Sequence, residues 1–319
     1  LYQEKKLAII HGAGSPEKNR SHFDAQDFME NGTPGRKGTA DGWLNRTMET
    51  SSMLQKPSSP FQAVALTAAL PRSLYGDRKA IAMSNLNEFG VRLGGGAQAA
   101  MASAAGNSFE ELYAKSTEEL LSGTGKESFE AVKVLSKIDT RNYQPENGAQ
   151  YPNSPLGNSL RQIAQLIKSD LGVEIAFAES AGWDTHVGEV NQFSARATDL
   201  SKSIAAFWSD LQKYQDDLVV MTMTEFGRTV KQNGSGGTDH GRGSCFFVLG
   251  NNVDGGKVHG SIPTSLEPDA LEDGRDLPVT TDFRAVFSEV AGKQFSIAAA
   301  KDNVIFPNWT GKRLPLLKA

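Results

Sequence analysis

The apolar positions of the chain form short unbroken runs, and these runs are separated by stretches with helical spacing. A short apolar run bounded by turn residues is typical of a buried strand. Such runs lie at residues 7–10, 61–70, 80–83, 173–178, 218–224 and 245–249. They predict the strands of a sheet.

Apolar residues at intervals of three or four predict the helices between these strands. Helices are expected over residues 21–30, 156–167, 190–211 and 283–290. The pair Ser154–Pro155 precedes the second of them and suits an N-cap followed by a first turn. A capping box at Ser108 and helical spacing from Phe129 predict a helical insertion around residues 94–155.

The order of these elements predicts an α/β fold. A helix, a strand, a long helix and another strand follow one another from residue 155 to residue 224. This alternation is typical of a mostly parallel sheet with helices on both faces. Since the chain shows neither an internal repeat nor a linker, we expect a single domain over residues 1–319.

Composition and charge exclude several classes of function. The 33 Lys and Arg residues against 37 Asp and Glu residues give a net charge of −4. Such a balance provides no basic field for nucleic acid or for an anionic membrane surface. Cys245 is the only cysteine, so neither an intrachain disulfide nor a thiolate metal cluster can form. The longest apolar run, residues 63–70, is too short to span a bilayer.

The predicted sheet indicates where functional residues should lie, because ligands of open α/β sheets bind at the carboxyl ends of the strands. Asp184 and His186 follow the strand predicted at 173–178, and Glu225 directly follows the strand at 218–224. Asp239 and His240 lie in a glycine-rich segment before the last predicted strand. Glycine allows the backbone to approach an ion closely.

Imidazole and carboxylate groups together suit zinc, manganese or iron, whereas carboxylates alone suit magnesium or calcium. Residues two apart in extended backbone point to the same side, as Asp184 and His186 would. We therefore expect a divalent metal ion (zinc, manganese, calcium or magnesium). Its candidate ligands are Asp184, His186, Glu225, Asp239 and His240.

Each candidate ligand also has a structural interpretation. Asp184 can cap the long helix, with the following residues merely in its first turn. Asp239 and His240 can form a loop turn with a solvated imidazole. Glu225 can form a salt bridge with Arg228.

Two arginines and one hydroxyl are candidates for contacts with substrate. Arg20 and Arg228 could clamp a phosphate or sulfate group, or could be surface charges. Ser21 and His22 are the candidate catalytic residues, and the alternative for them is a capped, solvated first helical turn. The chain contains neither a P-loop motif nor a Gly-x-Ser-x-Gly nucleophile elbow.

Longer strings of sequence resemble a bacterial family called domain of unknown function 1501. The strings are RSHFDAQDFMENGTPG, GWLNR, AESAGWDTH, MTMTEFGRTVKQNGSGGTDHGRG, VHG and DGRDLPVTTDFRAVFSEV. They follow one another over nearly the whole chain, from about residue 7 to residue 309.

This family resembles the alkaline phosphatase-like superfamily, which includes sulfatases and phosphodiesterases. The resemblance implies metal ligands at Asp184 and His186, with closer spacing than the Asp-x-x-x-His of the superfamily. It also implies a late ligand at His240. Glu225 and Phe226 stand where the superfamily has an Asp-His pair, so one ligand is missing from that pattern.

Relatives of the family usually begin with a twin-arginine export signal and a first strand that carries a metal ligand. The resemblance therefore implies a protein truncated at its N-terminus and exported to the periplasm or secreted. We expect a metal-dependent hydrolase of a phosphate or sulfate ester.

The alternative function is a non-catalytic envelope protein that retains the fold. The phenylalanine at position 226 supports this alternative. Its partner would be another exported protein, for which the family called domain of unknown function 1800 is a candidate because the two families often occur together.

Overall fold

The computed structural model describes residues 1–56, 59–86, 131, 134–135 and 142–318. The helix predicted from Ser108 lies outside these residues, as does most of the predicted insertion around 94–155. Of the helix predicted from Phe129, only residues 131, 134 and 135 are described, and these are helical.

The described residues form an α/β fold, as the sequence predicts. The strands are β1 (Leu7–Gly14), β2 (Ala63–Ala65), β3 (Ile81–Ala82), β4 (Ile175–Phe177), β5 (Val219–Met221), β6 (Ser244–Gly250), β7 (Val258–His259) and β8 (Thr281–Asp282). The helices are α1 (His22–Asn31), α2 (Trp43–Thr50), α3 (Pro155–Lys168), α4 (Glu189–Asp210), α5 (Phe283–Gln294) and α6 (Asp302–Ile305). Each strand and helix predicted within the described residues is present, although most strands are shorter than their apolar runs.

One sheet is mixed, which corrects the prediction of a mostly parallel arrangement. Its strand order is β5-β6-β1-β7, and β8 also pairs with β1. Strand β6 is antiparallel to both β5 and β1, whereas β7 and β8 are parallel to β1. Parallel neighbours require a crossover, usually a helix. Residues 222–243, all of them described, contain no helix, and the chain turns back directly into β6.

The second sheet, of order β3-β2-β4, is parallel throughout. Alternate residues of its middle strand face two different apolar clusters, since Ala63 and Ala65 belong to one and Val64 to the other. On β5 of the mixed sheet, Val219 packs against the first cluster and Val220 against the second. Both clusters therefore extend across both sheets.

Helices cover both faces of these strands. Helices α2, α5 and α6 contribute buried side chains to the first cluster, and α3 and α4 contribute to the second. Helix α3 begins as predicted, because the Ser154 side chain accepts a hydrogen bond from the Gly157 backbone N–H. Helix α4 packs by its second half, where Phe207 is buried, whereas Val190 and Phe193 in its first turns are exposed.

Three polar segments meet at one edge of the mixed sheet. Residue Ala13 near the end of β1 pairs with Ser244 at the start of β6, and the segment 222–243 joins the end of β5 to the same place. Helix α1 begins shortly after β1. This edge is where the sequence places the candidate chemistry.

Candidate metal centre

Four side chains from three segments converge at this edge. His22 is the first residue of α1, Asp184 and His186 follow β4, and His240 precedes β6. The Nε2 atom of His240 lies 3.0 Å from Asp184 Oδ1 and 2.9 Å from His186 Nε2. His186 Nε2 lies 2.9 Å from the same Asp184 oxygen. His22 Nε2 lies 3.3 Å from Asp184 Oδ2.

Each of the three imidazole rings is held from behind by an oxygen at its Nδ1 atom. The Nδ1···O distances are 2.5 Å for His22 to Glu225 Oε1, 3.0 Å for His186 to Asp239 Oδ1, and 2.7 Å for His240 to the Arg20 carbonyl. A carbonyl oxygen only accepts, so His240 donates its Nδ1 proton to Arg20, and in a neutral ring Nε2 is then the nitrogen open to a metal. In the other two rings Nδ1 faces the carboxylate of Glu225 or Asp239, and Nε2 faces the carboxylate of Asp184.

The converging atoms suit a metal ion. Metal–ligand bonds of about 2.0–2.1 Å at angles between octahedral and tetrahedral place neighbouring donors about 2.9–3.4 Å apart. Three imidazole-to-Asp184 distances and the distance between the Nε2 atoms of His186 and His240 fall between 2.9 and 3.3 Å. In His22, Nε2 is buried and has no hydrogen-bond partner among the described residues. Ligand atoms of His22, Asp184 and His240 all lie within 4.8 Å of one another. His186 is not part of this group of three and meets it at Asp184 Oδ1 and His240 Nε2.

The chemistry of the donor set narrows the choice of metal. Imidazole nitrogens and one carboxylate suit zinc or manganese, whereas calcium and magnesium prefer oxygen ligands. The backing oxygens behind each Nδ1 match the usual surroundings of a metal-binding histidine. The residues present therefore fit a divalent metal of the zinc or manganese type.

Asp184 is held in its charged form. Burial acts to raise its pKa, but the hydrogen bond from Arg228 and the nearby imidazoles lower that pKa below its usual range. Arg228 Nη1 donates to Asp184 Oδ1 over 2.6 Å, and Arg228 Nε donates to Thr238 Oγ1 over 3.1 Å. The guanidinium group thus keeps a carboxylate, the form that binds metal, at the centre of the cluster.

The glycine-rich loop allows the segments to approach closely. A Cβ atom on Gly237 would lie 2.2 Å from the carbonyl carbon of His186, so a side chain does not fit there. The Thr238 backbone N–H donates to the Thr185 carbonyl over 3.1 Å. Asn233 donates to the His186 carbonyl over 3.0 Å and to Asp239 Oδ1 over 3.1 Å.

The sequence reasoning did not single out Asn233, because an Asn before glycine has the pattern of an ordinary turn. Its side-chain oxygen also accepts from the backbone N–H groups of Ser235 and Gly237, which fixes the loop. The hydrogen bond from Asn233, followed by that from His186, lowers the pKa of Asp239. Asn233 therefore orients the carboxylate that orients an imidazole.

The structure places the predicted site residues in different positions around the centre. Glu225 and Asp239 lie behind imidazole rings rather than between the Nε2 atoms. The guanidinium group of Arg20 pairs with Asp273 and Asp276, and only its carbonyl faces the centre. Ser21 is the exposed N-cap residue of α1 and its side chain makes no capping hydrogen bond within the described chain.

Two of the structural interpretations are wrong, those of Asp184 and Glu225, and that of His22 holds in part. Asp184 does not cap α4, because the N-cap of that helix is Gly188. Arg228 pairs with Asp184, whereas Glu225 contacts His22. His22 does begin a helix, but its ring turns inward toward the centre and is about one-third exposed.

Apolar side chains line and flank the centre. Phe226 is buried, and its ring centroid lies 4.7 Å from that of His22 and 4.9 Å from that of His240. Phe23 is 89% exposed and Val187 is 62% exposed, each directly after a candidate ligand in sequence. The centre is thus backed by one aromatic ring.

Comparison with known proteins places the chain in a family but identifies no characterised relative. No curated protein and no solved structure matches the chain. The family described as Protein of unknown function (DUF1501) matches residues 8–306 of the 319 residues. The protein is therefore a member of the DUF1501 family.

Proposed function

We propose that the protein is a metal-dependent hydrolase that binds one divalent metal of the zinc or manganese type. The ligands would be the Nε2 atoms of His22, His186 and His240 together with the carboxylate of Asp184. The observation that carries this proposal is the convergence of three imidazole Nε2 atoms on one carboxylate, each with its Nδ1 atom held by an oxygen. When bound, such a metal supplies Lewis-acid catalysis and lowers the pKa of water to near neutrality.

The residues behind the ligands would orient them. In this proposal Glu225 and Asp239 are hydrogen-bond acceptors for imidazole rings rather than ligands, and the Arg20 carbonyl does the same for His240. Such partners fix the ring orientation and raise the basicity of the ligand. Phe226 would keep water away from the faces of two rings.

A phosphate or sulfate ester is the substrate class that the local charge supports. Arg228 places a guanidinium group within hydrogen-bond distance of Asp184, at the centre itself. A fixed positive charge at this point would stabilise negative charge that develops on an anionic transition state. Because Ser21 is exposed and outside the cluster, water is the better candidate for the nucleophile. The alkaline phosphatase-like resemblance and the export that it implies form part of this proposal.

Ester hydrolysis by metal-loaded protein tests the proposal. Metal-free protein would be loaded with zinc or with manganese and assayed with 4-nitrophenyl phosphate and 4-nitrophenyl sulfate. We expect hydrolysis that is lost in His240→Ala and retained in His259→Ala, a histidine outside the centre whose Nε2 contacts the Asp254 carbonyl. Hydrolysis that survives both His240→Ala and a chelator would contradict the proposal.

The second candidate is a non-catalytic envelope protein with an exported protein partner. Two observations favour it. Arg228 already balances the charge of Asp184, and Phe226 packs against imidazole rings at the position where a further ligand would be expected. The exposed Phe23 and Val187 would then contact the partner. Metal-loaded protein that hydrolyses neither ester would favour this candidate.

A further inference from the structure

The Asp-Gly-Arg-Asp segment at residues 273–276 has no role in the proposal so far, yet it lies against the metal centre. Asp273 and Gly274 have φ values of 52° and 68°, which turn the chain sharply. Backbone hydrogen bonds between Glu272 and Asp276 close the turn. The turn places Asp276 in the interior, where its side chain is 0% exposed.

Asp276 is a buried carboxylate with two guanidinium partners. Arg20 Nε donates to its Oδ2 atom over 3.1 Å, and Arg20 Nη2 donates to the same oxygen. Arg275 Nε donates to its Oδ1 atom over 3.1 Å. A buried charge is stable only with such partners, so the three side chains form one unit.

Both arginines of this unit also hold His240. The Arg20 carbonyl accepts the Nδ1 proton of the His240 ring over 2.7 Å. Arg275 Nη2 donates to the His240 carbonyl over 2.9 Å. Arg20 also lies two residues before His22, the first residue of α1.

We propose that Asp276 is a positioning residue for the metal centre, acting through Arg20 on the ring of His240 and through Arg275 on its backbone. This inference rests on the proposed metal site. Without the carboxylate, the two guanidinium groups lose their common acceptor. Among the described residues, Arg20 then keeps only the half-exposed Asp273 as a partner, so its carbonyl is held less firmly beside Nδ1 and the His240 ring is freer to exchange tautomers and rotate.

Two measurements on Asp276→Asn test the proposal. The first is zinc affinity by competition with a chromophoric chelator, where loss of an orienting partner typically costs about 10- to 100-fold. We expect a loss of about 10-fold, since Asp276 acts one step further from the ring. The second is the tautomer of His240 in metal-free protein, read from long-range ¹H–¹⁵N correlations after ¹⁵N-histidine labelling. We expect the Nδ1–H tautomer in the wild type and a mixture in the variant.

A matched control separates positioning from general destabilisation. Asp302 is also a buried carboxylate, and it accepts from Arg313 Nε over 2.8 Å and from Arg313 Nη2 over 2.5 Å. We expect Asp302→Asn to lower stability while leaving zinc affinity and the His240 tautomer unchanged. Equal effects of the two variants on the tautomer, or wild-type behaviour of Asp276→Asn, would overturn the proposal.

A second variant keeps the test decisive if Asp276→Asn does not fold. Arg275 is 44% exposed, so Arg275→Ala removes one of the two links at a site that tolerates substitution. We expect zinc affinity about 3- to 10-fold weaker than in the wild type, and unchanged affinity would overturn the proposal. Failure of the metal site itself gives a different result. Wild-type protein would then bind no zinc, while the tautomer measurement would still report whether Asp276 positions His240.

Discussion

The replacement Glu225→Gln tests whether the carboxylates around the centre orient the imidazole rings or bind the metal themselves. Glu225 Oε1 lies 2.5 Å from His22 Nδ1, and Thr224 Oγ1 donates to Oε2 over 3.1 Å. Glutamine keeps the size and one oxygen acceptor but removes the charge. The ring would keep its direction and lose basicity, which costs about 10- to 100-fold in metal affinity.

Side-chain exposure and contact distance indicate where the loss of metal affinity should fall between about 10- and 100-fold. The Glu225 side chain is 24% exposed and its contact with His22 is short, so the effect should lie near 100-fold, or about 2.7 kcal/mol. Asp239 is 53% exposed, and its contact with His186 is 3.0 Å. Solvent can therefore replace part of the hydrogen bonding by Asp239, and Asp239→Asn should weaken metal affinity by only about 10-fold.

The assay is zinc affinity by competition with a chromophoric chelator, with circular dichroism to confirm that each variant is folded. Loss of a direct ligand, as in Asp184→Asn, should abolish measurable binding in the same assay. If Glu225→Gln also abolished binding, its carboxylate would be a ligand. If its affinity equalled that of the wild type, the orienting role would be refuted.

Three further predictions concern stability, the loop and pH. Asp210 is fully buried and its Oδ1 contacts Lys168 Nζ at 2.5 Å, so Asp210→Asn should cost about 3 kcal/mol in urea unfolding followed by circular dichroism. Hydrogen bonds from Lys168 and other donors outweigh burial and lower the pKa of Asp210, so this stabilisation is present above the unfolded pKa of about 4. The difference between the two proteins should shrink as pH falls below that value, and a constant difference would contradict the reasoning. Gly237→Ala should weaken zinc affinity at least about 10-fold because its Cβ meets His186, whereas Gly234→Ala, with open space around it in the described chain, should bind zinc like the wild type. Zinc affinity should decline as the pH falls, because protons compete with the metal for imidazole nitrogens, and a flat profile down to about pH 5 would argue against histidine ligands.

Local signals in the sequence predicted the secondary structure well. The N-cap Ser154 and the helical spacing after it specify α3 without reference to the rest of the chain. The helical spacing also predicted α4 correctly, but the spacing cannot show which part of the apolar stripe is packed against other elements. Val190 and Phe193 fit the stripe and are exposed.

The orientation of β6 could not be predicted in the same way. An apolar run has no direction, and only the connection reveals whether neighbouring strands are parallel. Residues 222–243 contain several of the candidate site residues but no helix in this fully described segment, so the chain returns directly into β6. That connection brings Glu225, which follows β5, and His240, which precedes β6, to the same edge of the mixed sheet.

The sequence predicted which residues form the candidate centre better than it predicted where each of them lies. Asp184, His186 and His240 come together, as their positions after or before predicted strands imply. A ligand and its orienting partner are both carboxylates near an imidazole, so sequence cannot separate Glu225 from Asp184. The membership of His22 depends on a long-range contact that no local pattern reports.

Metal stoichiometry is the most direct test of the central claim. Protein purified without chelator, and metal-free protein reloaded with zinc, would be measured by inductively coupled plasma mass spectrometry. The account predicts about one zinc per chain in the wild type and in His259→Ala. It predicts a large loss in His22→Ala, whose Nε2 has no hydrogen-bond partner within the described residues. Stoichiometry that is unchanged in His22→Ala, or absent from the reloaded wild type, would contradict the assignment of this centre as a metal site.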